Sequence, residues 1–214
     1  MDHYRHSSIF NAHSLDVTLI GCGGIGATTA LALAKMGVGR LDLWDADYVS
    51  SINLATQLHA LSEVNNSKVE AVERMIAEFS DDTEVNPIGH HVNGSHGVFG
   101  SVIISAVDSI EARKEIWQAV LLGGCSYYLD ARMAAEEFHL YCVNMADSSW
   151  YDDMLAGEDD ASVPDLPCTA KATIYTSFVA GGLVSSAVKK IAANQANPRV
   201  LILNMATNNL TVIS

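Results

Sequence analysis

The sequence predicts an α/β protein of the Rossmann-like type, with a mostly parallel sheet flanked by helices and an antiparallel extension near the C-terminal end. A glycine-rich turn, G-C-G-G-I-G, lies between a short apolar run and an Ala- and Leu-rich segment of helical length. A second apolar run follows, so strand, helix and strand form a βαβ unit whose strands are parallel. Near the C-terminal end, two apolar runs are close enough to form an antiparallel hairpin.

The elements of the first half follow from apolar periodicity and from turn residues. The first strand, Asp16–Gly21, leads into a helix over Gly24–Gly37 that ends at glycines. Arg40–Asp45 alternates apolar and polar residues, as a strand does. Asn65 or Asn66 is a candidate N-cap for a second helix. The apolar face of that helix consists of Val69, Val72, Ile76 and Phe79. Further strands are predicted at 84–91 and 101–106.

The second half predicts a helix, two strands, a long helix and the closing hairpin. Ser109 stands at an N-cap position before a helix that ends near Gly123 and Gly124. The remaining predicted elements are strands at 126–131 and 137–146, a helix at 173–194, and strands at 200–204 and 210–213. Residues 147–165 contain many acidic side chains and no Lys or Arg, which predicts an acidic crossover loop over 147–168. That loop is either a solvated surface segment or a lid or docking loop for a basic partner.

Length and charge restrict the class of protein. The 214 residues are expected to fold as one domain, 1–214, with residues 1–15 as an N-terminal arm. A net charge of −13 disfavours binding to nucleic acid, which requires clustered Lys and Arg. No apolar run reaches the roughly 18 residues that span a bilayer, and the N-terminus has no apolar signal-peptide core. We therefore expect a cytoplasmic protein that does not contact membranes.

The cysteines do not predict a zinc site. None of Cys22, Cys125, Cys142 and Cys168 forms a C-x-x-C pair, so the usual spacing of tetrahedral zinc ligands is missing. In a cytosolic chain such cysteines are expected to be free thiols. Cys125 and Cys142 fall in predicted strand regions and are expected in the core.

The glycine turn predicts a phosphate-binding site. Gly21, Gly23 and Gly26 have the G-x-G-x-x-G spacing, and Gly24 lies between them. Glycines let backbone N–H groups approach phosphate oxygens, while the positive end of the helix faces the phosphate charge. Asp45, at the end of the next strand, can accept hydrogen bonds from ribose hydroxyls. Alternatively, the glycines only allow the helix to pack closely on the sheet.

The residues that follow narrow the class of nucleotide. An NAD-dependent oxidoreductase would account for the chain up to Asp45 only. The segments D-A-D-Y-V, N-L-A-T-Q and K-V-E begin at Asp45, Asn53 and Lys68, and A-V-D-S begins at Ala106 and precedes Arg113. Together with P-C-T-A-K around Cys168, this ordered set resembles the signature of the ThiF/MoeB/ubiquitin-activating superfamily and covers nearly the whole chain.

The resemblance implies an enzyme that binds ATP and Mg²⁺ and adenylates the C-terminal carboxylate of a ubiquitin-like or sulfur-carrier protein or peptide. It implies that the glycines shape the nucleotide pocket, that Asp45 holds the ribose, and that Asp108 holds Mg²⁺. Asn53 and Lys68 would contact the phosphates. The same motifs include Asp47, Gln57 and Arg113. The resemblance also implies a homodimer, in which Arg5 of one subunit reaches the ATP site of its partner; the other reading of Arg5 is an ordinary surface residue.

One position departs from the family pattern. Thr56 stands where the family has an arginine, so a neutral hydroxyl replaces a cation with five donors. Either another cation substitutes, with Arg132 as the first candidate, or the chain is a catalytically impaired, nucleotide-binding partner subunit. Cys168 precedes a predicted helix, where a thiolate is favoured, and some family members form a covalent link to the carrier there. An incidental thiol is the alternative.

Overall fold

The computed structural model describes residues 2–95, 97–159 and 172–214. Within them lie eight strands and five α-helices, joined by short turns and 3₁₀ segments. In chain order these are β1 Asp16–Ile20, α1 Gly24–Lys35, β2 Arg40–Trp44, α2 Lys68–Phe79, β3 Glu84–Ile88, β4 Val102–Ser105, α3 Ile110–Leu122, β5 Tyr127–Ala134, β6 Glu137–Asn144, α4 Ser149–Ala156, α5 Ile174–Ala192, β7 Val200–Asn204 and β8 Asn209–Ile213.

All eight strands form one sheet in the order β3-β2-β1-β4-β5-β6-β7-β8. The strands from β3 to β5 are parallel, whereas β6, β7 and β8 pair antiparallel. The chain leaves β1 for β2 on one side and later returns to place β4 on the other side, which creates a topological switch point. Because Ile20 pairs with both Trp44 and Ser105, the segments that follow these three strands leave the sheet side by side.

The sheet is covered on both faces. Helices α1, α2 and α5 pack on one face, where Leu19, Leu43 and Ile104 are fully buried. Helices α3 and α4 pack on the other, around Ile103 and an aromatic group of Trp117, Tyr128 and Tyr151. Such a three-layer arrangement explains why the parallel strands are apolar on both faces. The predicted α/β fold with an antiparallel C-terminal extension is confirmed.

Helix caps were only partly predictable. Ser109 caps α3 as expected, because its hydroxyl accepts a hydrogen bond from the Ala112 N–H at 3.2 Å. The expectation that Asn65 or Asn66 caps α2 was wrong, since the N-cap position is Ser67. Asn65 instead takes a left-handed backbone conformation, with φ of 72°, in the turn before it. Phe79 is 47% exposed, and its ring lies 5.2 Å from the Lys35 ammonium rather than in the core.

The acidic segment is not a loop throughout. Residues Ser149–Ala156 form α4, whose Tyr151 and Leu155 lie one helical turn apart and are buried against α3 and the sheet. The density of acidic residues concealed this apolar face, which burial in the core stabilises. The part of the predicted crossover loop after residue 159, including Cys168, lies outside the described residues. Among the helices described, none is long and apolar enough to cross a membrane.

Candidate nucleotide site

The glycine turn joins β1 to α1 at the switch point. Gly21 has a left-handed φ of 96°, and a Cβ atom there would lie 2.7 Å from the Ala106 carbonyl oxygen. A Cβ atom on Gly26 would overlap the carbonyl oxygen of Gly21. These two glycines are therefore required by backbone packing. Their close packing places the start of α1 in the crevice at the switch point. The amides of α1 before Ala27 have no acceptor within the helix.

The other two glycines face neighbouring segments. A Cβ atom on Gly24 would lie 2.6 Å from the Ser177 hydroxyl oxygen of α5, and one on Gly23 would lie 3.5 Å from the Gln57 amide nitrogen. The Ser177 hydroxyl in turn donates to the Thr56 carbonyl at 3.1 Å. The turn is thus enclosed by the start of α5 and by the N-L-A-T-Q segment.

Asp45 connects the end of β2 to the glycine turn. Its Oδ2 accepts a hydrogen bond from the Cys22 N–H at 2.7 Å, and its Oδ1 accepts one from the Asp47 N–H at 2.8 Å. The side chain is only 10% exposed. Each carboxylate oxygen has two lone pairs, so both oxygens can accept a further hydrogen bond from a ribose hydroxyl.

Lys68 lies between two of the predicted carboxylates. Its Nζ donates to Asp47 Oδ2 at 2.7 Å and lies 4.0 Å from Asp45 Oδ2, while its side chain is 9% exposed. The Lys68 amide also donates to the Asp47 carbonyl at 3.0 Å, which fixes the start of α2 beside the end of β2. The structure therefore brings three predicted residues together, in a group whose formal charge is −1.

The N-L-A-T-Q segment forms a tight turn. The Asn53 carbonyl accepts hydrogen bonds from the Thr56 and Gln57 amides at 3.0 and 2.9 Å, and the Thr56 hydroxyl donates to the same oxygen at 3.3 Å. The Thr56 hydroxyl therefore stabilises this turn. The Gln57 side chain points toward Gly23, and its Oε1 is buried with no hydrogen-bond partner among the described residues.

The turn after β4 carries Asp108, which is exposed at the same edge of the sheet. Arg113, by contrast, is buried: it donates to the Val107 carbonyl and to the Asp130 carboxylate, and its Nη2 lies 3.3 Å from the Ala131 carbonyl. Arg113 is therefore placed to position the turn that bears Asp108.

Three other predicted site residues lie elsewhere or outside the described chain. Arg132, on β5, contacts Asp130 of the same strand and Glu158, which follows α4. Arg5 is exposed on the N-terminal arm, which docks through His3 against Gly37 at the far end of α1. Within one subunit, Arg5 is at the opposite edge of the sheet from the glycine turn. Its predicted role in a partner's site stays a prediction, and Cys168 is not described.

His59 is a residue of this site that the sequence reasoning missed. Its Nε2 lies 3.0 Å from the Cys22 carbonyl oxygen, and its Nδ1 is buried with no hydrogen-bond partner among the described residues. The bond to the carbonyl identifies Nε2 as the donor. Burial lowers the pKa of His59. No motif marks a histidine two residues after Gln57, so only the fold relates it to the glycine turn.

Cys22 is not a nucleophile in this arrangement. Its side chain is fully buried, and burial together with the Asp45 carboxylate raises the pKa of the Cys22 thiol well above its usual range. The neutral thiol is a small apolar group under the turn.

His59 should make the folded protein sensitive to mild acid. Because its pKa is lower in the folded than in the unfolded chain, the unfolded chain binds the proton first, and stability falls as pH drops below the ordinary value near 6.5. We expect the free energy of unfolding to decrease less between pH 7 and pH 5 in His59→Gln than in the unchanged protein. Urea titrations at several pH values measure this decrease. The exposed His90→Gln is the control, and an identical pH profile for His59→Gln would contradict the assignment.

Magnesium would be held here with few protein ligands. Among the residues described, no group of three or more His, Cys, Asp or Glu is arranged to hold a metal ion. Mg²⁺ commonly binds through one or two carboxylates together with nucleotide phosphates and water. The exposed carboxylate of Asp108 beside the start of α1 fits that kind of site.

The chain is similar in sequence to several known proteins. Residues 6–214 match the ThiF family. The chain is 44% identical over 70 residues to the tRNA threonylcarbamoyladenosine dehydratase of Bacillus subtilis (strain 168), which covers 32% of this chain and 28% of that protein. It is 28% identical over 136 residues to the adenylyltransferase and sulfurtransferase MOCS3 of Aedes aegypti, covering 58% and 31%. The matched part of the chain thus spans less than a third of these relatives.

Solved structures show the same fold. Escherichia coli MccB with ATP superposes with a TM-score of 0.68 at 15% identity, covering 94% of this chain and 64% of that one. The structure of MccB with AMPCPP and MccA gives a TM-score of 0.69 at 16% identity, with the same coverage. At such identities the likeness concerns the fold alone. The family match extends over nearly all of the sequence, and the chain belongs to the ThiF family.

Proposed function

We propose that this protein is an ATP-dependent adenylyltransferase that activates the C-terminal carboxylate of a ubiquitin-like or sulfur-carrier protein or peptide. The observation that carries the proposal is the convergence of the glycine turn, Asp45, Lys68 and Asp108 on one crevice at the switch point. The names of MOCS3 and of the ATP-bound MccB structure support it. A cytoplasmic location and a homodimer belong to the same proposal.

The chemistry needs positioned charge rather than a protein nucleophile. A carboxylate oxygen attacks the α-phosphorus of ATP, the P–O bond to the β-phosphate breaks, and pyrophosphate leaves. The start of α1 offers amide donors to the phosphates, and Asp45 accepts from the ribose hydroxyls. Lys68 reaches the phosphates by leaving Asp47, whose side chain is 62% exposed and is readily solvated. Mg²⁺, held by Asp108, would neutralise charge on the departing pyrophosphate.

A cavity that could hold the adenine base of ATP lies next to Asp45. This cavity of about 190 Å³ is lined by Trp44, His90, Val92 and Val98, among others, at the carboxyl ends of β2 and β3. The Asp45 amide donates to the Ile88 carbonyl at 3.2 Å, so the ribose-binding carboxylate and the cavity share one backbone segment. The Trp44 ring and the two valines of this lining suit the flat faces of a purine, and His90, His91 and Asn93 add polar groups.

A second candidate function rests on Thr56. If no cation replaces the missing arginine, the chain binds ATP without turnover and serves as the impaired subunit of a two-chain enzyme. Arg132 is the residue that we propose as the substitute cation. ATP binding without pyrophosphate exchange, with exchange restored by Thr56→Arg or by a second protein, would favour this candidate. Preferential binding of NAD over ATP would instead favour an oxidoreductase.

Pyrophosphate–ATP exchange tests the main proposal. The purified chain, supplied with ATP, Mg²⁺ and a small protein ending in Gly-Gly from a neighbouring gene, should catalyse exchange. Asp108→Asn should reduce the rate by about 100-fold, because charge stabilisation on the phosphates is lost. Asp147→Asn is the matched control, since Asp147 is an exposed carboxylate after the distal end of β6 and pairs with Arg199. Absence of exchange with a confirmed carrier, or equal rates for the two variants, would overturn the proposal.

A further inference from the structure

A group of charged side chains, centred on the buried Asp130, lies between the sheet and helices α3 and α4. The Asp130 carboxylate is completely buried, and it accepts hydrogen bonds from Arg113 Nη1, from Arg132 Nε at 2.7 Å and from the Tyr151 hydroxyl at 2.8 Å. One carboxylate thus serves two guanidinium groups, which gives a formal charge of +1. A buried charge of this kind requires a counter-ion.

Glu158 supplies that counter-ion. Its Oε2 lies 2.7 Å from Arg132 Nη1, and its side chain is 27% exposed. The Arg132 Nη2 atom is buried and has no hydrogen-bond partner among the described residues. The Tyr141 ring lies 4.5 Å from the centre of the guanidinium and supports it from one side. The Arg132 guanidinium is therefore held in place through Nε. On its outer edge, which is formed by Nη1 and Nη2, only Nη1 has a hydrogen-bond partner among the described residues.

Strand β5, which bears Arg132, is connected through Arg113 to the turn that bears Asp108. Asp130 pairs with Ser105, the last residue of β4, so β5 continues past β4 at the carboxyl edge of the sheet. Arg113 contacts the carbonyls of both Val107 and Ala131, which holds the start of the Asp108 turn against the residue before Arg132.

We infer that the Nη1–Nη2 edge of Arg132 is an oxyanion subsite, which Glu158 occupies as an internal carboxylate until a phosphate or carboxylate of a substrate displaces it. The guanidinium edge matches two oxygens of such a group. Asp130 holds the guanidinium in place in advance, so little ordering accompanies binding. Glu158 is partly exposed, and a solvated carboxylate detaches from such a pair at small cost. The identity of the oxyanion rests on the proposed function, whereas the chemistry of the subsite does not.

The test removes the internal competitor. Glu158→Gln should bind inorganic pyrophosphate about 3- to 10-fold more tightly than the unchanged chain in calorimetry, which is the range expected when a pair worth about 1 kcal/mol no longer competes. Acetate, titrated in parallel, separates the sources: a gain for pyrophosphate identifies a phosphate site, and a gain for acetate alone identifies a site for the carboxylate substrate. Asp147→Asn changes the net charge equally and should gain less than twofold.

Two further measurements assign the gain to Arg132. Adding Arg132→Gln to Glu158→Gln should abolish it, with thermal melting recorded for each variant. In the unchanged protein, saturating pyrophosphate or acetate should shift the ¹⁵N–¹H signal of Arg132 Nε, which Arg132→Lys identifies by its absence. Equal affinities with and without Glu158, an equal gain in Asp147→Asn, or a gain that survives the loss of Arg132 would overturn the inference. None of these readouts requires turnover, so a failure here is distinct from a failure of pyrophosphate exchange.

Discussion

Replacing Asp130 by Asn should lower the free energy of unfolding by about 3–5 kcal/mol, the cost of breaking a buried ion pair by removing one partner. Asp130 is completely buried and is the shared counter-ion of Arg113 and Arg132. An amide of the same size keeps the volume of the side chain and removes its charge. The buried guanidinium of Arg113 and the largely buried one of Arg132 then lack their central anion, and the partly exposed Glu158 pairs with only Arg132.

Urea denaturation followed by circular dichroism measures this loss. Asp147→Asn is the control, because Asp147 also pairs with an arginine, Arg199 at 2.6 Å, but both side chains are about half exposed. An exposed pair contributes at most about 1 kcal/mol. If the two variants lose the same free energy of unfolding, the ion pairs of Asp130 stabilise the fold no more than the exposed Asp147–Arg199 pair does, which would contradict the prediction.

The second large effect is expected for Gly26→Ala, which should destabilise the fold by about 3 kcal/mol and weaken the proposed ATP binding at least about tenfold. A methyl group on Gly26 would overlap the backbone carbonyl of Gly21, and a backbone atom in a closely packed turn cannot rotate away as a side chain does. The turn and the start of α1 must separate, which removes the amides from the crevice.

Gly182→Ala provides a matched comparison. Gly182 lies on the exposed side of α5, and a Cβ atom there would meet nothing within 4 Å. Alanine is the better helix former, so this variant should gain about 0.5–1 kcal/mol. Thermal melting and ATP calorimetry on both variants measure the contrast. A Gly26→Ala protein that melts and binds like the unchanged chain would show that the turn has room that the structure does not provide.

The strands and helices of the parallel half were predictable because each depends on local periodicity. The runs Asp16–Ile20 and Arg40–Trp44 are apolar enough to be buried, and the glycines after the first run allow the tight turn into α1. Helix α4 was missed because its apolar residues are few and stand among acidic ones. Whether such a segment becomes helical depends on the apolar surface that the rest of the fold offers to Tyr151 and Leu155.

The residues of the site likewise include some whose placement could be predicted and others whose placement could not. The grouping of Asp45, Asp47 and Lys68 was expected from the resemblance to the family, whose motifs contain all three residues. The contact of His59 with the glycine turn, and the burial of Arg113, could not be predicted. Both depend on how loops fold back on the sheet, which no local spacing specifies.

Local sequence patterns were enough to predict the parallel α/β fold, the glycine turn with its following carboxylate, and the resemblance to the family that residues 6–214 match. Which charged side chains meet depends on tertiary packing. Arg113, Asp130 and Tyr151 come from α3, β5 and α4, and they meet because strand register and helix packing bring them to one buried place. Local patterns specify elements because they act over a few residues. Pairing of buried charges is specified by the whole fold, since each partner is stabilised only where the others remove it from water.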